Sequence, residues 1–211
     1  MNLRHYYWWF KSAIPPRICD DIVKYGLNHK EDMAITGGLG RDRDIKKQPL
    51  NKKEIKDLKK KRDSNVVWMS DRWIYKEIQP YINQANVSAE WNFNWDWSES
   101  CQFTKYKSGQ YYDWHCDSWE SPYEKGLAQG KIRKLSVTIS LSDEKDYEGG
   151  ELEFDFRNND PHTKRNTAIC KEILPRGSVV VFPSFVWHRV KPVTKGVRYS
   201  LVIWNVGYPF K

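Results

Sequence analysis

The period of the hydrophobic pattern changes at Trp91, and no other feature of the chain limits its fold as much. From Trp91 onward apolar and polar residues alternate, the period-two signature of strands with one buried face. Trp91, Phe93, Trp95 and Trp97 alternate with Asn92, Asn94 and Asp96, which predicts a strand with an aromatic face. Further strands are predicted over 101–106, 135–141, 151–156, 178–182 and 197–206. Ser108-Gly109, Gly149-Gly150, Arg176-Gly177 and Lys195-Gly196 separate them as turns. Many short strands between glycine turns build a sandwich or a jelly roll. The expected fold is therefore mainly β, a sandwich or jelly roll, with N-terminal supporting α-helices.

Before Trp91 the period is helical. Pro15 and Pro16 stand ahead of Ile18, Ile22, Val23 and Leu27, which predicts a helix over 16–27. Asp71 as N-cap, followed by Trp73, Ile74, Ile78, Tyr81, Ile82 and Ala85, predicts a second helix that Pro80 bends or divides. A short strand is expected over 66–69. The 211 residues read as one domain, with helical support and a basic loop in 1–90 and a catalytic jelly-roll core in 91–211.

Net charge is +8, and its location matters more than its size. Between Arg41 and Asp63 stand eleven basic and five acidic residues, so +6 of the excess lies in one tract. That tract is a solvated mobile segment, a short charged helix near 52–61, or a lid or docking surface for a substrate. Nucleic acid is not an expected partner, because the Trp91 to Trp97 stripe interleaves Asn and Asp rather than Arg or Lys. The 11 Trp, 12 Tyr and 8 Phe exclude a disordered chain. No run reaches the roughly 18 apolar residues of a membrane span, and the apolar stretch from Tyr6 to Phe10 is too short for a signal-peptide core, so neither membrane nor secretion is expected. Cys19, Cys101, Cys116 and Cys170 form no CxxC pair and read as reduced thiols. The expected compartment is cytoplasmic, bacterial or that of a phage host.

The chemistry concentrates in two of five histidines. In Tyr112-Asp113-Trp114-His115-Cys116-Asp117, His115 and Asp117 are two apart and share one face of an extended backbone, with Cys116 pointing away as a spacer. His188 follows the apolar run Val179 to Pro183 and lies 73 residues after His115, far enough for a sheet to fold back. Alone, His-x-Asp also fits a surface pair or a hydrogen-bonded core histidine. Two histidines and one carboxylate on one face form the facial triad of non-haem Fe(II) oxygenases. In Val197 to Trp204, Arg198, Ser200 and Trp204 share one strand face, and a buried guanidinium needs an anion. A dicarboxylate ligand fits its planar fork.

These segments resemble the Fe(II)/2-oxoglutarate-dependent dioxygenases, in particular the prolyl-4-hydroxylase-like branch. The resemblance runs from Gln102-Phe103-Thr104-Lys105-Tyr106 and Gly109 to Asp117, through Arg133-Lys134-Leu135-Ser136 and Tyr147 to Leu152, to Pro175 to Ser178, Phe182-Pro183-Ser184, Trp187 to Val190 and Gly196 to Leu201. It implies a double-stranded β-helix (jelly-roll or cupin-like) with N-terminal supporting α-helices, in which His115, Asp117 and His188 hold Fe(II). It implies that Arg198 and Ser200 bind the distal carboxylate of 2-oxoglutarate, with Tyr106 donating its phenol to the same group. Arg133, Trp204 and Tyr112 correspond to residues around a substrate proline. The implied cofactors are Fe(2+), 2-oxoglutarate and O2, with ascorbate as reductant.

The activity so implied couples decarboxylation of 2-oxoglutarate to hydroxylation of a proline in a protein or peptide, as in procollagen-proline 4-dioxygenase. Free proline or another small molecule is an alternative acceptor. Nucleic-acid demethylation is a weaker one, because Trp204 stands where that branch has a second arginine. A non-enzymatic metal-binding jelly roll leaves Arg198 and Ser200 without a purpose.

Overall fold

Proline at the first helical position costs nothing, since its missing N–H has no partner there anyway. In the computed structural model of this chain, which describes residues 3–36, 48–118, 121–157 and 164–210, α1 spans Pro16–Leu27, as expected. Its buried face is Cys19, Ile22 and Gly26. A Cβ at Gly26 would stand 2.6 Å from the Phe103 ring, so a glycine there lets the helix lie directly on the sheet.

The basic tract contains α2 (Lys52–Lys61), whose start is closed by a capping box between Asn51 and Glu54. Residues 41–47 of the tract lie outside the described residues. The third helix, α3 (Arg72–Ser88), begins after Asp71 as expected and runs through Pro80 without interruption. It buries Ile74, Ile78, Ile82 and Ala85, while Pro80 is exposed, so the carbonyl that loses its partner is on the solvent side.

Strands follow in chain order as β1 (Trp8–Phe10), β2 (Asp32–Met33), β3 (Arg62–Asp63), β4 (Asn65–Met69), β5 (Trp97–Ser98), β6 (Cys101–Lys107) and β7 (Tyr111–His115). Then come β8 (Ile132–Ser140), β9 (Tyr147–Gly149), β10 (Leu152–Asp155), β11 (Thr167–Ile169), β12 (Val179–Pro183), β13 (Trp187–Val190) and β14 (Val193–Gly207). The major sheet runs β1-β12-β8-β14-β6-β4-β2, with β5 and β9 also on β14, and the minor sheet runs β11-β10-β13-β7-β3. Two antiparallel sheets face each other as a double-stranded β-helix. Among the described residues, the first 90 contribute four strands, β1 to β4, besides the helices.

Register assigns each face of the major sheet. Leu201, Ile203, Phe103, Leu135, Val137, Ile139, Val179 and Val181 share the outer face and one apolar core with the helical residues Cys19, Ile22, Ile74, Ile78 and Ile82. The inner face carries Tyr106, Thr104, Arg198, Ser200, Trp204, Ser136, Thr138 and Ser140, a polar surface turned toward the minor sheet. A sheet that spends its apolar face under helices is free to line its other face with chemistry.

One predicted strand is absent. The segment 91–96 forms no ladder, although the Asp96 N–H donates to the Val206 carbonyl at 3.0 Å, and Trp97–Ser98 is the part that joins the sheet. Asn92 adopts φ +50, and backbone groups of residues 91–93 are taken by Asn86 of α3. The Asn86 carbonyl accepts from the Trp91 and Asn92 amides, both at 3.1 Å. Its side chain bonds the Phe93 N–H and C=O at 2.9 and 3.0 Å. The alternation survives as burial without a ladder: Trp91 and Phe93 are buried, Asn92 and Asn94 exposed.

Candidate active site

Strands β7 and β13 are neighbours, and His188 stands directly opposite His115 in their register. The ring centroids are 4.1 Å apart. Asp117 lies just past β7, where its backbone N–H donates to the Ser184 carbonyl at 2.8 Å and turns its carboxylate toward both rings. Asp117 Oδ1 is 3.8 Å from His115 Nε2, and Oδ2 is 3.6 Å from His188 Nε2. The three ligand atoms lie within 4.8 Å of one another.

Hydrogen bonds set which nitrogen of each ring is free. His115 Nδ1 is 2.8 Å from the Asp113 carbonyl and His188 Nδ1 is 3.0 Å from the Val186 carbonyl. A carbonyl only accepts, so each Nδ1 carries the proton and each Nε2 offers a lone pair. Burial, and then the neighbouring His188, hold His115 well below its ordinary pKa, which keeps it neutral. Burial alone would raise Asp117, but His188, His115, Arg133 and the Ser136 hydroxyl outweigh it and lower the carboxyl. Ser136 Oγ donates to Asp117 Oδ2 at 2.7 Å and is 2.9 Å from Ser184 Oγ. Neutral imidazoles beside an ionised carboxylate suit a divalent first-row metal.

Arg198 enters from the major sheet, paired in register with Tyr106. It is 3% exposed, its Nη1 donates to Ser200 Oγ at 3.3 Å, and its Cζ is 5.6 Å from the Tyr106 ring centroid. No carboxylate lies within ion-pair distance of it among the described residues. The Gly149-Gly150 turn makes room for it: Gly150 has φ +66, and a Cβ there would stand 3.0 Å from Arg198 Cδ. A buried guanidinium held beside a hydroxyl is a site for an anion.

Arg133, Trp204 and Tyr112 also reach this interior, each with partners that sequence did not suggest. The Arg133 guanidinium lies 3.9 Å over the Trp204 ring and donates twice to Glu99, at 2.9 and 2.6 Å. Tyr123 adds a third bond to Glu99 at 2.8 Å. Tyr112 stacks on His115 with centroids 3.4 Å apart, and Arg62 lies 4.5 Å over the same tyrosine. Arg62, counted above as part of a solvated basic tract, is 4% exposed and donates to Ser64 at 2.9 Å. Trp204 Nε1 and Trp187 Nε1 are buried without a hydrogen-bond partner among the described residues. Beside Trp204 and Glu99 a groove of about 380 Å³ is lined by Trp68, Trp97, Glu99, Tyr123 and Leu127. Trp114 stands under Arg189 and Arg165 at 4.7 and 5.1 Å.

A jelly roll whose inner faces bring two tautomer-locked histidines and an aspartate opposite a buried arginine, without a carboxylate partner among the described residues, belongs to the class of non-haem iron oxygenases. Residues 101–206 match the 2OG-Fe(II) oxygenase superfamily, and the chain is a member of it. Its cofactors are accordingly Fe(2+), 2-oxoglutarate and O2. It is 40% identical over 101 residues to a PKHD-type hydroxylase of Synechococcus sp. (strain CC9902), covering 47% of this chain and 38% of that one. The matched stretch spans about two fifths of the length of the curated relatives it matches. In fold it is similar to the viral collagen prolyl hydroxylase of Paramecium bursaria Chlorella virus-1, in its 2OG complex, with TM-score 0.62, 18% identity and 97% of each chain covered. It is also similar to a prolyl-4-hydroxylase of Pseudomonas putida, with TM-score 0.64, 16% identity, and 96% and 93% covered. Among the described residues no helix is long and apolar enough to cross a membrane, and Cys19, Cys101, Cys116 and Cys170 are all free thiols.

Proposed function

We propose that the protein is an Fe(II)/2-oxoglutarate-dependent hydroxylase acting on a prolyl residue of a polypeptide. The observation that carries this reading is the buried Arg198, without a carboxylate partner among the described residues, on the sheet facing a His115, Asp117 and His188 metal face. When bound, Fe(II) with 2-oxoglutarate and O2 supplies decarboxylation to succinate and CO2 and hydroxylation of a C–H bond. His115 Nε2, His188 Nε2 and Asp117 would hold the metal on one side and leave its other positions open. Arg198 and Ser200 would take the distal carboxylate of 2-oxoglutarate, with Tyr106 as a third donor. Phe154 and Phe182, packed against His188 at 6.2 and 4.7 Å, keep water from the inner side of the site.

Arg133, Trp204 and Tyr112 are the proposed substrate contacts. The Trp204 indole N–H has no hydrogen-bond partner among the described residues and is available to a substrate carbonyl. The open aromatic groove beside it suits an extended chain better than a free amino acid, which favours a polypeptide. Ascorbate is the expected reductant, and the free thiols suit a cytoplasmic, reducing compartment. The test is succinate release with proline-containing peptides and with free proline, read alongside mass spectrometry of the acceptor. The gain of one oxygen atom on a peptide, lost in His115→Ala, supports the reading. Iron-loaded protein that makes no succinate with any acceptor overturns it.

A further inference from the structure

Six lysines occupy the ten residues of α2, and they are segregated from its acids. At about 100° per residue, Lys59, Lys52, Lys56, Lys60 and Lys53 follow one another around an arc of about 120°. Asp57, Lys61 and Glu54 come next, and Leu58 and Ile55 turn toward the protein. All five lysines of the arc are exposed, whereas Leu58 is buried. A helix whose charges serve only solubility interleaves the signs, with acids four residues from lysines. In α2, Lys52, Lys56 and Lys60 instead stand at i, i+4 and i+8, a spacing whose repulsion opposes the helix. Lys60 meets Asp57 at 2.8 Å and Lys59 meets Asp63 at 3.6 Å. Lys52, Lys53 and Lys56 have no carboxylate within ion-pair distance among the described residues.

The arc is also anchored beside the site. The capping box closes the start of α2, with the Asn51 amide donating to Glu54 at 2.8 Å and the Glu54 amide to Asn51 at 2.9 Å. At its other end the Tyr111 hydroxyl reaches the Lys59 and Lys60 carbonyls at 3.1 and 3.0 Å. Tyr111 opens β7, the strand that carries Tyr112 and His115. A repulsive lysine face, kept in place by its cap and by the strand of a metal ligand, is complementary to a run of carboxylates. The helix has no aromatic residue on which a base would stack and no arginine to fork a phosphate, so polypeptide is favoured over nucleic acid.

We propose that the lysine arc of α2 docks an acidic segment of the polypeptide substrate that flanks the residue entering the site; this rests on the hydroxylase reading above. The test uses fluorescent peptides of one length with a central proline, flanked by aspartates, serines or lysines. Binding to the full chain is followed by anisotropy, with and without Fe(II) and 2-oxoglutarate, in the absence of O2. The aspartate peptide is expected to bind about tenfold more tightly than the serine peptide at low salt, an advantage that shrinks as salt rises. Lys52→Glu with Lys56→Glu should erase the advantage, and Lys52→Gln with Lys56→Gln should reduce it. Lys24→Glu with Lys76→Glu, the same charge change on α1 and α3, should leave it intact. Equal binding of the three peptides overturns the proposal. So does an advantage that survives in Lys52→Glu with Lys56→Glu, an equal loss in the α1 and α3 control, or tighter binding of a single-stranded oligonucleotide that depends on the same lysines. Anisotropy needs no turnover, so failure of the hydroxylase reading shows separately, as absence of succinate with the same peptides.

Discussion

Ser136 is a small group with leverage on the metal face, because its hydroxyl orients and stabilises the Asp117 carboxylate from the opposite sheet. Ser136→Ala keeps the fold and should weaken metal binding about tenfold, measured by competition titration with a chelating dye. Arg198→Ala should act on a different quantity. Losing charge-assisted bonds of roughly 1.5–3 kcal/mol, it should raise the 2-oxoglutarate needed for half-maximal succinate about tenfold or more, while His115→Ala and Asp117→Ala leave none. His115 also makes the metal-free protein sensitive to pH. Its folded-state pKa is depressed below the ordinary 6.5, so as pH falls through that value the unfolded chain takes up the proton first. Its contribution is full above about pH 6.5 and lost progressively below it. Urea midpoints from pH 8 to 5 should show this fall, and His115→Phe should flatten it.

At the scale of elements, α2 depends on its cap more than on its packing, since its buried residue is Leu58 and the lysine arc repels itself. Asn51→Ala should cost about 1 kcal/mol, seen as faster amide exchange confined to α2 while α1 and α3 are unchanged. No change in exchange would mean that the Tyr111 anchor alone holds the helix. The 91–96 segment shows where periodicity misleads. Alternating burial was legible in its three aromatics, but ladder pairing depends on which backbone groups are still free, and Asn86 had already taken those of residues 91–93. Pro80 is the reverse case: a helix breaker by type, tolerated because its position falls on the exposed side of α3.

At the scale of the molecule, the two sheets are joined across the interior by the site itself, so metal and stability are linked. At a hundredfold excess over its dissociation constant a bound metal adds about 2.7 kcal/mol. The thermal midpoint of the wild-type chain should rise with Fe(II) or a redox-inert substitute, and that of His188→Ala should not. Sequence by itself determined a mainly β core, the bounds of α1, most strands, and that His115, Asp117 and His188 would come together, because period, turn glycines and a His-x-Asp motif are local signals. Tertiary structure alone decided that Arg62 is buried against Tyr112 rather than solvated, that Glu99 neutralises Arg133 and that Ser136 steadies Asp117. These pairings join residues far apart along the chain, and whether a charge ends in water or in the interior depends on what the opposite sheet brings to it.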